Sequence, residues 1–161
     1  MSEAKKKLRK KLIAERLDMS KDDVAAKSHI VSQKVIVEVD WKQVKKVHVY
    51  TSLKVLNEID TDEIQNYLAD KQPQIQVTTS PARKDAPQPT DQYDLIIAPV
   101  LGFDKNNDRL GMGGGWYDRF LSSQSRAKTV GLAYSEALED ELPTEPHDVP
   151  LQNIFAEKEN L

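Results

Sequence analysis

The stretch RLGMGGGWYDRF, residues 109–120, holds four of the chain's six glycines, two adjacent bulky aromatics, an aspartate and two arginines. Glycine gives up more backbone entropy on folding than any other residue, so such clustering needs a reason. Phosphate binding supplies one. A glycine-rich turn entering a helix exposes N–H groups that cradle phosphate oxygens, and the helix N-terminus adds partial positive charge. Arg109 can neutralise the same anion. Asp118 can hold a magnesium ion bridging the phosphates, or it can serve only as a favourable first-turn charge. Two common phosphate motifs are excluded. No Gly-Lys-Ser/Thr follows the glycines, and after Gly111 and Gly113 the third fingerprint position is Trp116 instead of glycine.

Such a loop works only if a scaffold holds it. YDLIIAPV, residues 93–100, is an unbroken apolar run, as expected of a strand in a sheet buried on both faces. VKKVHVYTS from Val44, QIQVTTS and KTVGLAYS read as further strands, and NIFAE as a last one. Between them lie helical patterns. KKKLRKKLIAERLDM carries Leu8, Leu12, Ile13, Arg16 and Leu17 on one expected buried stripe. Ser20, with Asp23 three residues on, caps a second helix reaching about Val39. TDEIQNYLADK, capped by Asp60 or Thr61, and WYDRFLSSQ are shorter helices. SPARKDAPQPTDQ is a Pro-rich loop. Alternating strands and helices predict an α/β domain with a mostly parallel sheet covered on both sides. Ligands of such sheets sit beyond the carboxyl ends of the strands. The loop from Pro99 to Gly115 leaves from one of those ends.

The 161 residues suit one domain, 1–161, with a core large enough to stand without disulfides or structural metal. The absence of cysteine excludes disulfides, zinc-thiolate sites and thiol nucleophiles. No apolar run approaches a membrane span. The leading MSEAKKKLRKKL has no apolar segment after its basic residues, so the cytoplasm is the expected location. Net charge is −3, but residues 1–16 carry an excess of +5 over an acidic remainder of −8. That asymmetry suits a local anion site. It opposes nucleic-acid binding, as does the lack of aromatics within the basic run.

The longer stretch DLIIAPVLGFDKNNDRLGMGGGWYDRFL, residues 94–121, resembles the signature of the 5-formyltetrahydrofolate cyclo-ligase family, also called 5,10-methenyltetrahydrofolate synthetase. KKKLR at 5–9, NEIDT at 57–61 and LPTEPHDVPLQNIFAE at 142–157 resemble its other segments in order. The resemblance implies a Rossmann-like three-layer αβα fold and an ATP- and Mg²⁺-dependent reaction. 5-Formyltetrahydrofolate becomes 5,10-methenyltetrahydrofolate, with ADP and phosphate released. The formyl oxygen is a poor leaving group until it is phosphorylated, after which N10 closes the ring.

The same resemblance implies residue roles. Lys5 and Arg9, one helical turn apart, match a phosphate-binding pair; a solvated basic helix is the competing account. Arg109, Gly111, Gly113, Gly114, Gly115 and Tyr117 match the nucleotide-binding loop, with Arg109 and Asp118 carrying the catalysis. Asp118 and Asp148 match magnesium ligands, although Asp148 also suits a turn. His147 is a loop residue, since hard Mg²⁺ prefers oxygen. Glu58 matches a folate-contacting glutamate, against the alternative of a solvated loop residue. Trp116 stands where tyrosine is usual, as a stacking platform or as a core anchor. Met112 belongs to the substrate-binding set and also departs from the usual residue. Between Thr61 and Asp94 the chain is short for the family. A nucleotide-binding module without folate chemistry is therefore the second hypothesis. The partners expected are small molecules, ATP and a reduced folate, with neither nucleic acid nor membrane; the sequence does not fix oligomeric state.

Overall fold

The computed structural model describes residues 2–80, 85–159 and 161. Part of the Pro-rich stretch, residues 81–84, lies outside them. Five strands form the main sheet: β1 (Lys46–Tyr50), β2 (Gln76–Ser80), β3 (Leu95–Pro99), β6 (Lys128–Leu132) and β7 (Asn153–Phe155). Their order is β2-β1-β3-β6-β7, and every pairing is parallel. Val47 pairs with Leu95, and Leu95 in turn with Lys128. β4 (Gly102–Phe103) and β5 (Arg109–Leu110) form a separate antiparallel pair.

All five residues of β3 are buried, as its apolar run predicts. On β1, successive side chains point to opposite faces. His48 meets Tyr117 and Phe120 on one face, while Val47 and Val49 are fully buried on the other. Both faces are therefore covered, and the fold is a three-layer α/β sandwich of the Rossmann-like kind. The chain lays β2 outside β1, then crosses to β3 on the opposite side of β1. That reversal opens a crevice beyond the carboxyl ends of β1 and β3.

Among the described residues four α-helices flank the strands: α1 (Glu3–Leu17), α2 (Lys21–Glu38), α3 (Asp62–Lys71) and α4 (Trp116–Ser122). Ser20 caps α2 by accepting a bond from the Asp23 N–H at 3.1 Å. At α3 the cap is divided. Thr61 is the N-cap residue by backbone, but its hydroxyl donates to the Tyr50 carbonyl at 2.8 Å, and the Asp60 carboxylate accepts from Asp62 N at 2.9 Å.

The stripe expected on α1 holds at Leu12 and Arg16, both buried, and fails at Leu17. Leu17 is 47% exposed, and Leu8 and Ile13 are only half-buried. The buried residues are Lys5, Leu12 and Arg16. Leu12 joins an apolar cluster with Leu101, Leu110 and Leu142, against which Leu8 and Ile13 pack partly buried. A helix this basic cannot be placed by hydrophobic burial alone, so its charged side chains take part in docking it.

Candidate functional site

A cavity of about 690 Å³ opens at the crevice beside the ends of β1 and β3. It falls within the size range of small-molecule sites. The glycine loop forms one wall, the turn carrying Leu53 and Glu58 another, and the segment Glu145–Val149 a third; α1 lies across them.

The glycine loop is raised by the β4–β5 pair. Asp104, buried in the turn, accepts bonds from Asn106 N and Asp108 N at 3.0 and 3.1 Å, and from Leu142 N at 3.0 Å. This sets Arg109 beneath the loop. The Arg109 side chain is 4% exposed, donates from Nη1 to the Pro99 carbonyl at 3.0 Å, and lies 3.8 Å from Asp118 Oδ1. Its guanidinium packs over the Tyr117 ring at 5.6 Å, and its buried Nε has no partner. Burial lowers its pKa, opposed by the charges of Asp118 and Asp148.

Three glycines in this loop stand where a side chain would meet resistance. A Cβ on Gly111 would stand 2.7 Å from Arg109 Nη1. Gly115, the residue before α4, has φ of 71°, where side chains are strained. Gly113 also has positive φ, and the Gly114 carbonyl accepts from Arg119 at 2.9 Å.

α1 is stitched to these walls by its cations. Arg9 Nε donates to the Gly111 carbonyl at 2.8 Å. Lys5 Nζ meets Asp148 Oδ2 at 2.5 Å and Glu145 Oε1 at 3.1 Å. Burial works against the Lys5 charge, but bonds and charge from those two carboxylates outweigh it and raise its pKa. Asp148 shows the reverse balance: burial opposes its charge, and Lys5 with the Glu145 N–H holds its carboxyl below the usual range. For Lys5 the solvated-helix account fails, because the residue is 6% exposed.

Asp118 and Asp148 face the same rim. Asp118 Oδ1 accepts from Val149 N, the residue after Asp148, at 3.2 Å. Among the described residues no group of three or more His, Cys, Asp or Glu side chains forms a metal cage. Two carboxylates beside a glycine-rich loop are a donor set that fits Mg²⁺, which takes one or two carboxylates with water and substrate oxygens completing its shell. His147 is an exposed loop residue, 3.6 Å from Asp148 Oδ1.

Glu58 is 5% exposed, so it is not a solvated loop residue. Its Oε2 accepts from Leu53 N at 2.7 Å. Burial raises its pKa, moderated by the Leu53 N–H and the charge of Arg16. The preceding Asn57 has left-handed backbone with φ of 53° and is clamped from both sides. Its side chain donates to the Arg16 carbonyl at 2.9 Å, and its own carbonyl accepts from the Tyr134 hydroxyl at 2.7 Å.

Trp116 and Met112 both line the cavity. The indole is buried against Tyr117 and Phe120 and donates to the Ala86 carbonyl at 2.9 Å, which is anchoring geometry. Met112 Sδ lies 3.9 Å from Arg16 Nη2. The Tyr117 hydroxyl meets His48 Nε2 at 3.2 Å, and burial pushes the Tyr117 pKa far up, so the phenol stays neutral.

Sequence reasoning missed two contributors. Arg16 appears there only as part of the docking stripe, although positions 5, 9, 12 and 16 share a helical face and so carry Lys5, Arg9 and Arg16 together. His48 carries no sequence signal beyond its place in a strand; only the fold sets it against Tyr117.

The family model described as the 5-formyltetrahydrofolate cyclo-ligase family matches residues 1–78 and 71–157. The 5-formyltetrahydrofolate cyclo-ligase of Haemophilus influenzae is 35% identical over 132 residues, covering 78% of this chain and 68% of the relative. That of Mus musculus is 24% identical over 195 residues, covering 98% and 95%. Among solved structures, the 5,10-methenyltetrahydrofolate synthetase of Mycoplasma pneumoniae superposes with a TM-score of 0.80 at 28% identity, covering 96% of this chain and 99% of that one. The Aquifex aeolicus enzyme gives 0.77 at 25% identity, with 96% and 90% covered. On these matches, the chain belongs to the 5-formyltetrahydrofolate cyclo-ligase family.

Proposed function

We propose that this chain converts 5-formyltetrahydrofolate and ATP into 5,10-methenyltetrahydrofolate, ADP and phosphate. The observation that carries this reading is one cavity with two unlike walls. A glycine loop underlain by Arg109 faces the buried carboxylate of Glu58 across it.

The formyl oxygen attacks the γ-phosphorus, and the bond to ADP breaks with its electron pair going to ADP. N10 then attacks the activated formyl carbon, phosphate leaves with the former formyl oxygen, and the N10 proton passes to solvent. Such transfer needs positioning and charge neutralisation more than covalent help. In this reading the N–H groups around Gly111, Gly113, Gly114 and Gly115 hold phosphate oxygens. Lys5, Arg9 and Arg109 supply positive charge, and Tyr117 supports Arg109 from below. Asp118 and Asp148 would hold Mg²⁺, which neutralises and orients the phosphates when bound. Glu58 accepts hydrogen bonds from the folate's N–H groups, and Met112 and Trp116 complete the substrate wall.

Among the described residues no helix is long and apolar enough to cross a membrane. We assign the reaction to the cytoplasm, to be checked by cell fractionation; recovery with membranes would count against it. The functional test is the absorbance of methenyltetrahydrofolate, followed with MgATP, without ATP, and with chelator. Product is expected only when both ATP and magnesium are present. Folded protein that binds ATP but yields no product would instead be a nucleotide-binding module.

A further inference from the structure

The reaction above leaves two cavity cations without a task, Arg16 and the exposed Arg119, which donates to the Gly114 carbonyl. Arg16 is 7% exposed, yet among the described residues one protein oxygen accepts from it, the Leu56 carbonyl at 2.8 Å from Nε. Among the same residues its Nη2 meets the Met112 sulfur, at 3.9 Å. Among the described residues no carboxylate lies within ion-pair distance of it, and Glu58, whose charge it feels, is engaged by Leu53 N. A guanidinium has five N–H donors, and a buried charge without a counter-ion is costly. The Arg16 nitrogens are not among the sealed, unpartnered atoms of the interior, and the side chain lines the cavity. The open donors of Arg16 therefore face the cavity, where a bound ligand's oxygens can accept from them.

Position identifies that acceptor. Arg16 touches the Glu58 turn through Leu56 and the glycine loop through Met112, so it stands at the seam between the two halves of the cavity. The formyl oxygen and the γ-phosphorus must meet at this seam. The glutamate tail of a folate, its other anionic part, is solvated and far from N5, so it does not suit a buried guanidinium. Arg109 differs, since it is fixed under the loop by Pro99 and Asp118.

We infer that Arg16 is a catalytic residue, donating from its Nη atoms to the oxygens of the phosphoryl group as it passes from ATP to the formyl oxygen. This rests on the ligase reading above. As the new P–O bond forms and the bond to ADP breaks, the planar phosphoryl group carries spread negative charge, which a desolvated guanidinium stabilises.

The test compares wild type, Arg16→Gln and Arg16→Lys in single turnover at saturating MgATP and 5-formyltetrahydrofolate. Calorimetry gives each variant's affinity for both ligands, and melting curves verify the fold. Arg16→Gln is expected to slow turnover about 100- to 1000-fold, while both affinities stay within about threefold. Arg16→Lys should recover about tenfold of that loss, keeping the charge but losing the planar fork. A rate within about threefold of wild type overturns the inference, as does a loss that follows weakened folate binding alone. If Arg16→Gln fails to fold, the Arg16→Lys rate decides: a wild-type rate there is fatal. No product from wild type sinks the ligase reading itself, and Arg16 with it. Product from wild type and from the folded variants alike removes only Arg16.

Discussion

α1 and α3 are both amphipathic helices packed onto the same sandwich, but they are attached by different physics. α3 turns Ile64 and Leu68, both fully buried, into the main core and leaves Asp62 and Lys71 in solvent. α1 buries Lys5 and Arg16 along with Leu12 and leaves Leu17 exposed. Transfer of apolar surface from water holds α3. α1 is held by charge-assisted bonds to the walls of the cavity, with Leu12 as a small apolar anchor beside Gly102, where a Cβ would stand 2.6 Å from a Leu12 methyl. A helix docked through charge can present that charge to a ligand. One docked through apolar area only supports the frame. Changes to α3 should therefore cost stability and spare chemistry, whereas changes to α1 should cost chemistry out of proportion to stability.

The largest expected effect tests that separation directly. Leu68→Ala should destabilise the fold by about 3 kcal/mol, within the range for a buried leucine. Turnover per folded molecule should stay at the wild-type value. Leu12→Ala, in its smaller cluster, should cost about 2 kcal/mol and also weaken apparent ATP affinity, because Lys5 and Arg9 ride on the same helix. Urea denaturation with parallel steady-state assays reads both quantities. Equal activity losses in the two variants would erase the distinction between the helices.

The next effect concerns a polar residue inside the apolar frame. His48 is fully buried on β1 between Thr78 and Tyr117, and burial lowers its pKa from 6.5 to about 4. The unfolded chain therefore binds more protons than the folded one between these values. His48's share of stability is fully present above about pH 6.5 and falls as pH drops, with about 3 kcal/mol lost by about pH 4. Glu58 works in the opposite direction, because burial raises its pKa in the folded state. The comparison must therefore be wild type against His48→Gln, both keeping Glu58. The variant's urea midpoint should depend less on pH between 7 and about 4.5 than the wild type's. Parallel slopes would mean that His48 is not held neutral by the fold.

The sequence is legible where burial is symmetric and local. The apolar run of β3, the Ser20 cap and the glycine cluster each carry their signal within a few residues, and all three are found in the structure. The β4–β5 pair escapes because each strand has two residues, and its turn depends on Asp104 reaching Leu142, 38 positions away. The α1 stripe is legible in part. Leu12 and Arg16 are buried as it expects, but periodicity weighs apolar residues and gives no sign that Lys5 is buried or Leu17 exposed. The same bias conceals Arg16, whose importance lies in contacts with two loops distant in sequence. Trp116 is legible as either a stacking platform or a core anchor, and the choice between them depends on the Ala86 carbonyl and the aromatic neighbours that the fold assembles around it.

The smallest effect lies at the first turn of α1, where the two kinds of attachment meet. Ser2 caps the helix by accepting from the N–H of Lys5 at 3.2 Å, while the Lys5 side chain is fixed independently by Asp148 and Glu145. Ser2→Ala should cost about 1 kcal/mol or less, a shift of roughly 2–4 °C in melting temperature. If charge-assisted bonds dock α1, the Lys5 side chain keeps its place after the cap is lost, and apparent ATP affinity should stay within about twofold of wild type. A small melting shift joined to a large loss of ATP affinity would instead mean that backbone order at the first turn positions Lys5. The contrast with α3 would then rest on local helix stability instead of on how the two helices are docked.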